Sequence, residues 1–182
     1  MKNKKTLRLL LTRDCNRNCI GCCNNDLDLD SLPEITSFVG FNEVIITGGE
    51  PMLFPSLIIE WVSKIRTENP GVKLILYTAH TQDVWELIFM VGFFDGVTIT
   101  IHDRGDVCKF NAFINGMNYV YKSKFIKSKS LRLNVFDGIN IDRINREYLK
   151  CWSIKDNVKW IKNCPLPKNE TFGKIPKCSM QS

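Results

Sequence analysis

Four cysteines fall within nine positions of "LTRDCNRNCIGCCN", residues 11 to 24. Cys15, Cys19 and Cys22 follow the spacing C-x3-C-x2-C, and Cys23 adjoins the last of them. Thiolates are ligands for soft metals, so the crowding points to a metal centre. Structural zinc usually draws on two short C-x2-C units far apart in sequence, and no second unit of that kind occurs here. Three thiolates from one tight loop can instead hold a cubane iron–sulfur cluster and leave one iron open to a small molecule. Zinc, or a cluster of spare thiols, stays in play as the alternative. Cys23 is not expected among the ligands, because both it and Cys22 would have to point into one site.

A second constellation is "GGEP", Gly48, Gly49, Glu50 and Pro51, at the end of a β-branched run. Alone, a double glycine marks an ordinary strand-ending turn. A third lies in the strand-like runs further on. Alternation puts Thr98, Thr100 and His102 on one face, and Arg132 and Asn134 on one face of the next run. Polar groups repeated in mid-strand are costly to bury without partners, so these faces fit a cavity holding a polar ligand. A solvated strand edge fits them nearly as well, and a structural histidine is the simpler reading of His102.

The elements that must position these residues alternate along the chain. Strands are expected over 6–12, 42–49, 72–80, 95–103, 130–138 and 157–164. Helices are expected over 31–39, 55–70, 82–92, 107–126 and 142–153. Ile58, Trp61, Val62 and Ile65 form one helical stripe, with Pro55 in its first turn and Pro70 after its end. Six strands alternating with five helices imply a parallel α/β sheet with right-handed crossovers. The chain reads as one core, residues 1–164, with an irregular proline-rich tail, 165–182.

The chain has 182 residues, of which 44% are hydrophobic and 24% charged, ordinary values for a soluble domain. The apolar start is interrupted by Arg8 and lacks a small-residue cleavage site, and no run approaches the roughly 18 apolar residues of a membrane span. A cytoplasmic location without a membrane partner is expected, and with it reduced thiols rather than a disulfide framework. The formal charge is +6. It reads first as a solvated basic face, with a nucleic-acid partner only weakly indicated.

The two motifs together, in this order and each at a strand end, resemble the radical S-adenosylmethionine superfamily. The likeness runs over about residues 6 to 164, beginning with Thr12 to Asn16, a "T-x-x-C-N" run. It implies a partial (β/α)6 barrel with its chemistry at the C-terminal rim of the strands. It also implies one 4Fe-4S cluster on Cys15, Cys19 and Cys22, with S-adenosyl-L-methionine on the open iron. The reduced cluster would cleave that cofactor to a 5′-deoxyadenosyl radical, which abstracts hydrogen from a substrate. Gly48 and Gly49 would let the backbone approach the methionine moiety, Glu50 would accept from its ammonium, and Pro51 completes the motif. Arg132 would meet a carboxylate or a substrate anion, and Asn134 a ribose or carboxylate. Thr100, His102 and His80 would contact cofactor or substrate.

One departure stands out. The superfamily often has an aromatic residue just before the third cysteine, and here that position is Gly21. In this respect the chain is similar to activating enzymes of anaerobic ribonucleotide reductase. Cys108, Cys151, Cys164 and Cys178 lack a short paired spacing, and a single cluster is expected. The implied partners are an electron donor such as flavodoxin or ferredoxin and a small-molecule or protein substrate. Three functions stay open: a small-molecule or deazaguanine-type nucleoside precursor enzyme, an activase that installs a glycyl radical on a partner, and a metal-binding protein without catalysis.

Overall fold

The structure, a computed structural model, describes residues 4–161 and 165–176. Seven strands form one parallel sheet in the order β6-β5-β4-β3-β2-β1-β7. They are β1 (Thr6–Thr12), β2 (Glu43–Gly48), β3 (Lys73–Thr78), β4 (Gly96–Ile101), β5 (Ser130–Phe136), β6 (Trp152–Val158) and β7 (Glu170–Lys174). The order leaves β6 and β7 as open edges, so the sheet is not closed, consistent with the partial barrel expected. The helices are α1 (Cys23–Asp26), α2 (Pro55–Glu68), α3 (Val84–Val91), α4 (Arg104–Val120), α5 (Ser123–Ser128) and α6 (Arg146–Leu149). The described chain falls into two compact units. One runs up to Leu74 and resumes at Trp160, and the other is Ile75–Lys159.

In the first unit β1 lies between β2 and β7, parallel to both. Being covered on both edges and faces, it reads as a near-continuous apolar run, and Leu7, Leu9, Leu10 and Leu11 are fully buried. Helix α2 buries Ile58, Trp61, Val62 and Ile65, the stripe the 3.6-residue period predicts. Each such side chain contributes about 1.5–3 kcal/mol by leaving water. Trp61 meets Phe38 edge-on at 6.1 Å between ring centroids.

In the second unit β4 and β5 turn Val97, Ile99, Ile101, Leu131, Leu133 and Val135 to one face, all buried. Thr98, Thr100, Arg132 and Asn134 take the other. Asp103 caps α4 by accepting from Asp106 N at 3.0 Å, and Asp83 caps α3 by accepting from Glu86 N at 2.9 Å.

Several expected elements are corrected. No helix forms over 31–39. Asp28 holds Ser31 in a turn, and Glu34 bridges to Lys174 in parallel. The helix expected over 142–153 shrinks to α6, because Trp152–Val158 is drawn into the sheet beside β5. The sixth strand accordingly lies earlier than 157–164. The tail is not wholly irregular, since Glu170–Lys174 adds a seventh strand on β1. Arg8 pairs with Glu170 across that junction. Gly173 belongs there because a Cβ would come within 2.4 Å of the Ile35 side chain.

Candidate metal and cofactor site

The cysteine loop and the double glycine meet at one strand-end rim of the first unit. Strand β1 ends at Thr12 in register with Gly48, the last residue of β2. Beyond that point the two chains stay joined by their backbones. Gly49 N donates to Thr12 O and Glu50 N to Asp14 O, each at 2.7 Å. Asp14 N donates to Thr12 Oγ1 at 3.1 Å, and Asn24 Nδ2 to Gly48 O at 2.9 Å. The residues immediately before Cys15 are therefore clamped to the GGEP turn.

Only glycine fits this clamp. A Cβ on Gly49 would lie 2.0 Å from Asp14 O and 2.6 Å from Arg13 O. Gly48 has a φ of 138°, and a Cβ there would lie 2.4 Å from Thr12 O. Glu50 is buried, and its Oε1 accepts from Met52 N at 3.1 Å, capping the 3-10 turn Pro51–Leu53. That cap is a structural duty beside the ammonium contact the motif implies.

Cys15, Cys19 and Cys22 are not in disulfides, Cys15 being exposed and the other two half-buried. Cys22 N donates to Cys19 O at 3.1 Å, closing a turn, and α1 begins directly after Cys22. Loss of solvent pushes the Cys15 thiol up from its ordinary value. A hydrogen bond from the Arg17 backbone opposes the shift, and the charges of Glu50 and Cys22 add to it.

Among the described residues no three His, Cys, Asp or Glu side chains converge as one metal ion requires. In the kind of donors it offers, the loop matches an iron–sulfur cluster: Cys15, Cys19 and Cys22 are thiols outside any disulfide, and Cys19 and Cys22 share one turn. Cys23 is disulfide-bonded, which takes it out of the ligand set and departs from the expectation of uniformly reduced thiols. Cys108 and Cys151 are free. Cys164 and Cys178 lie outside the described residues.

The second unit gathers the polar strand residues. Thr98 is in register with Arg132, and Thr100 with Asn134. On the neighbouring strands Tyr77 matches Thr98, and Lys155 matches Asn134. Asn134 Nδ2 donates to Tyr77 Oη at 2.6 Å. Thr98 and Thr100 are buried, while Arg132 and Asn134 are half-buried. Thr100 Oγ1 is buried and has no hydrogen-bond partner among the described residues, an orphan a bound ligand would satisfy.

His102 directly follows the end of β4 at Ile101, and its contact with Phe136 keeps it on the side of Arg132 and Asn134. Its backbone N donates to Asp106 Oδ2 at 2.9 Å, and its ring lies 4.6 Å from that of Phe136. His80 lies past the end of β3, with its N donating to Thr78 Oγ1 at 2.9 Å. Tyr77 and Asn24 are additions that the sequence reading missed. Tyr77 alternates with Lys73 and Ile75, opposite Leu74, Leu76 and Thr78, which puts it level with Thr98 on the polar face; Asn24 had no such signal.

No protein-family model matches the chain. A curated protein, a probable GTP 3′,8-cyclase from Thermococcus kodakarensis, is 24% identical over 151 residues, covering 74% of this chain and 48% of the relative. That likeness supports the radical S-adenosylmethionine resemblance. The chain spans about half the length of the curated relative it matches. No helix among the described residues is long and apolar enough to cross a membrane.

Proposed function

We propose that the chain is a radical S-adenosylmethionine enzyme, with one 4Fe-4S cluster on Cys15, Cys19 and Cys22. The observation that carries the reading is the pair of backbone bonds from Gly49 and Glu50 to Thr12 and Asp14, which ties the cluster motif to the GGEP motif. When bound, the cluster supplies one-electron reductive cleavage of the sulfonium cofactor. The chain's own residues bind and orient. Gly48 and Gly49 present bare backbone to the methionine end of the cofactor, and the Glu50 cap holds the next turn in place. Thr100 offers a hydroxyl without a partner among the described residues, Asn134 an amide fixed by Tyr77, and Arg132 a cation for a carboxylate or phosphate. His102, held by Asp106 and Phe136, borders that face.

The likeness to a probable GTP 3′,8-cyclase favours a nucleotide-like small molecule as substrate over a partner protein. The activase reading rests on Gly21. A metal-binding protein without catalysis is the remaining alternative.

Anaerobic reconstitution with iron, sulfide, dithionite and S-adenosylmethionine separates these readings. The wild type is expected to turn brown and release 5′-deoxyadenosine, and Cys15→Ala, Cys19→Ala and Cys22→Ala each to lose both. Tetrahedral zinc without deoxyadenosine overturns the enzyme reading. Deoxyadenosine release accelerated by GTP supports the small-molecule version. Acceleration only by a glycyl-radical protein replaces it with the activase.

A further inference from the structure

Gly21 stands between Cys19 and Cys22, directly before the third cysteine of the motif. The space beside it is filled from far along the chain. A Cβ built on Gly21 would lie 2.3 Å from Trp160 Cγ, 2.5 Å from Trp160 Cβ and 2.7 Å from Trp160 Cδ2. The indole therefore rests directly on the Gly21 backbone, at the volume a side chain at position 21 would enter. Trp160 is 42% exposed, so one part of the ring is spent on the loop and the rest faces solvent.

Two facts make this more than incidental packing. Trp160 follows the last residue of β6 by two positions and belongs to the same compact unit as the cysteine loop. The loop has little other cover, with Asn16, Asn18 and Ile20 all exposed. Ile20 is fully exposed, so the residue beside Gly21 adds no apolar wall of its own.

We propose that Trp160 is a positioning residue of the cysteine loop, its indole occupying the space that a side chain at position 21 would take. Glycine at 21 and tryptophan at 160 are then two halves of one device, since any side chain at 21 expels the indole. By covering the Cys19–Cys22 turn, the ring restrains the loop and limits solvent access to its thiols. The proposal rests on the reading above only for what the thiols hold; the contact itself belongs to the metal-free chain.

The test is peptide-resolved alkylation of the full-length, metal-free protein, with Cys108, an exposed free thiol, as internal control. Trp160→Ala is expected to speed labelling of Cys19 and Cys22 about tenfold, the scale of a local opening, and to leave Cys108 unchanged. Trp160→Phe, which keeps a ring, stays within about twofold of wild type on the same scale. Gly21→Ala has the effect of Trp160→Ala, and the double variant is no faster than either single one, because the two substitutions break one contact. Wild-type labelling rates in Trp160→Ala, or additive effects in the double variant, overturn the proposal. Should Trp160→Ala fail to fold, Gly21→Ala compared with Trp160→Phe decides in its place. On reconstitution, quenching of the Trp160 emission, read as the difference between wild type and Trp160→Phe, reports the ring beside the cluster. Failure to assemble a cluster in wild type strikes the proposed function, while the alkylation cycle still decides the role of Trp160.

Discussion

The two units carry their candidate residues in opposite ways. In the first, the rim is a backbone construction. Thr12, Asp14, Gly48, Gly49 and Glu50 act through N–H and C=O groups, and two glycines supply the clearance. In the second, the polar face is made of side chains on regular strands, with Thr98, Thr100, Arg132 and Asn134 in direct register. A backbone clamp has no rotamer through which to absorb an added atom, whereas a strand face can exchange one side chain for another of similar shape. The first unit should be brittle to small changes and the second tolerant of them.

The sharpest way to break this contrast is one methyl group. Gly49→Ala places a carbon 2.0 Å from a backbone oxygen of Asp14, so the loop or the turn must move. A loss of about 3 kcal/mol is expected, at the upper end of overpacking costs, together with loss of iron uptake. Denaturant melts and iron analysis check both. A stable, iron-loading Gly49→Ala protein would show that the clamp is not rigid.

Thr100→Val sharpens the comparison from the other side. It removes a buried hydroxyl that has no partner among the described residues and keeps the shape. Stability is expected to stay level or rise by about 1 kcal/mol, which denaturant melts read. A clear fall in stability would give the Thr100 hydroxyl a structural role instead.

The smallest effect is expected where a surface side chain of the first unit does the work. Hydrogen bonds from Ser37 Oγ and from the backbone N–H of Phe38 hold the Glu68 carboxyl below the usual carboxylate range. A lowered folded-state value means that this stabilisation is present above the unfolded carboxylate range. It is lost as pH falls through the folded value. Ser37→Ala should flatten the acid limb of the stability profile slightly and leave the neutral region nearly unchanged, as thermal melts across acidic pH would reveal.

How much of this was legible in the sequence follows the same divide. Strands β1 to β5 announce themselves, since each is a short apolar or β-branched run between turn residues. The GGEP motif and the cysteine spacing are local patterns and needed no tertiary information. What the sequence hid depends on pairing. "ETFGK" has a charge at either end and little strand character, and becomes β7 because the open edge of β1 accepts it. Residues 142–153 have helical periodicity, yet Trp152 and Ser153 are taken by β5. His102 alternates with Thr98 and Thr100, and its ring meets Phe136 on that side although the strand itself ends at Ile101. The contact of Trp160 with Gly21 has no local signal, only the missing side chain at position 21.

The pairing of β7 with β1 also bears on how the molecule is made. Strand β1 receives its second neighbour only when residues 170–174, far later in the chain, have been synthesised. Until then an apolar strand presents a row of unsatisfied amides and carbonyls, the surface that recruits other nascent chains. Completion of this sheet is a late event of high sequence separation, and such events are slow. During translation, Thr6–Thr12 is therefore an apolar strand whose β7-facing edge stays open until the chain has been synthesised through residue 174.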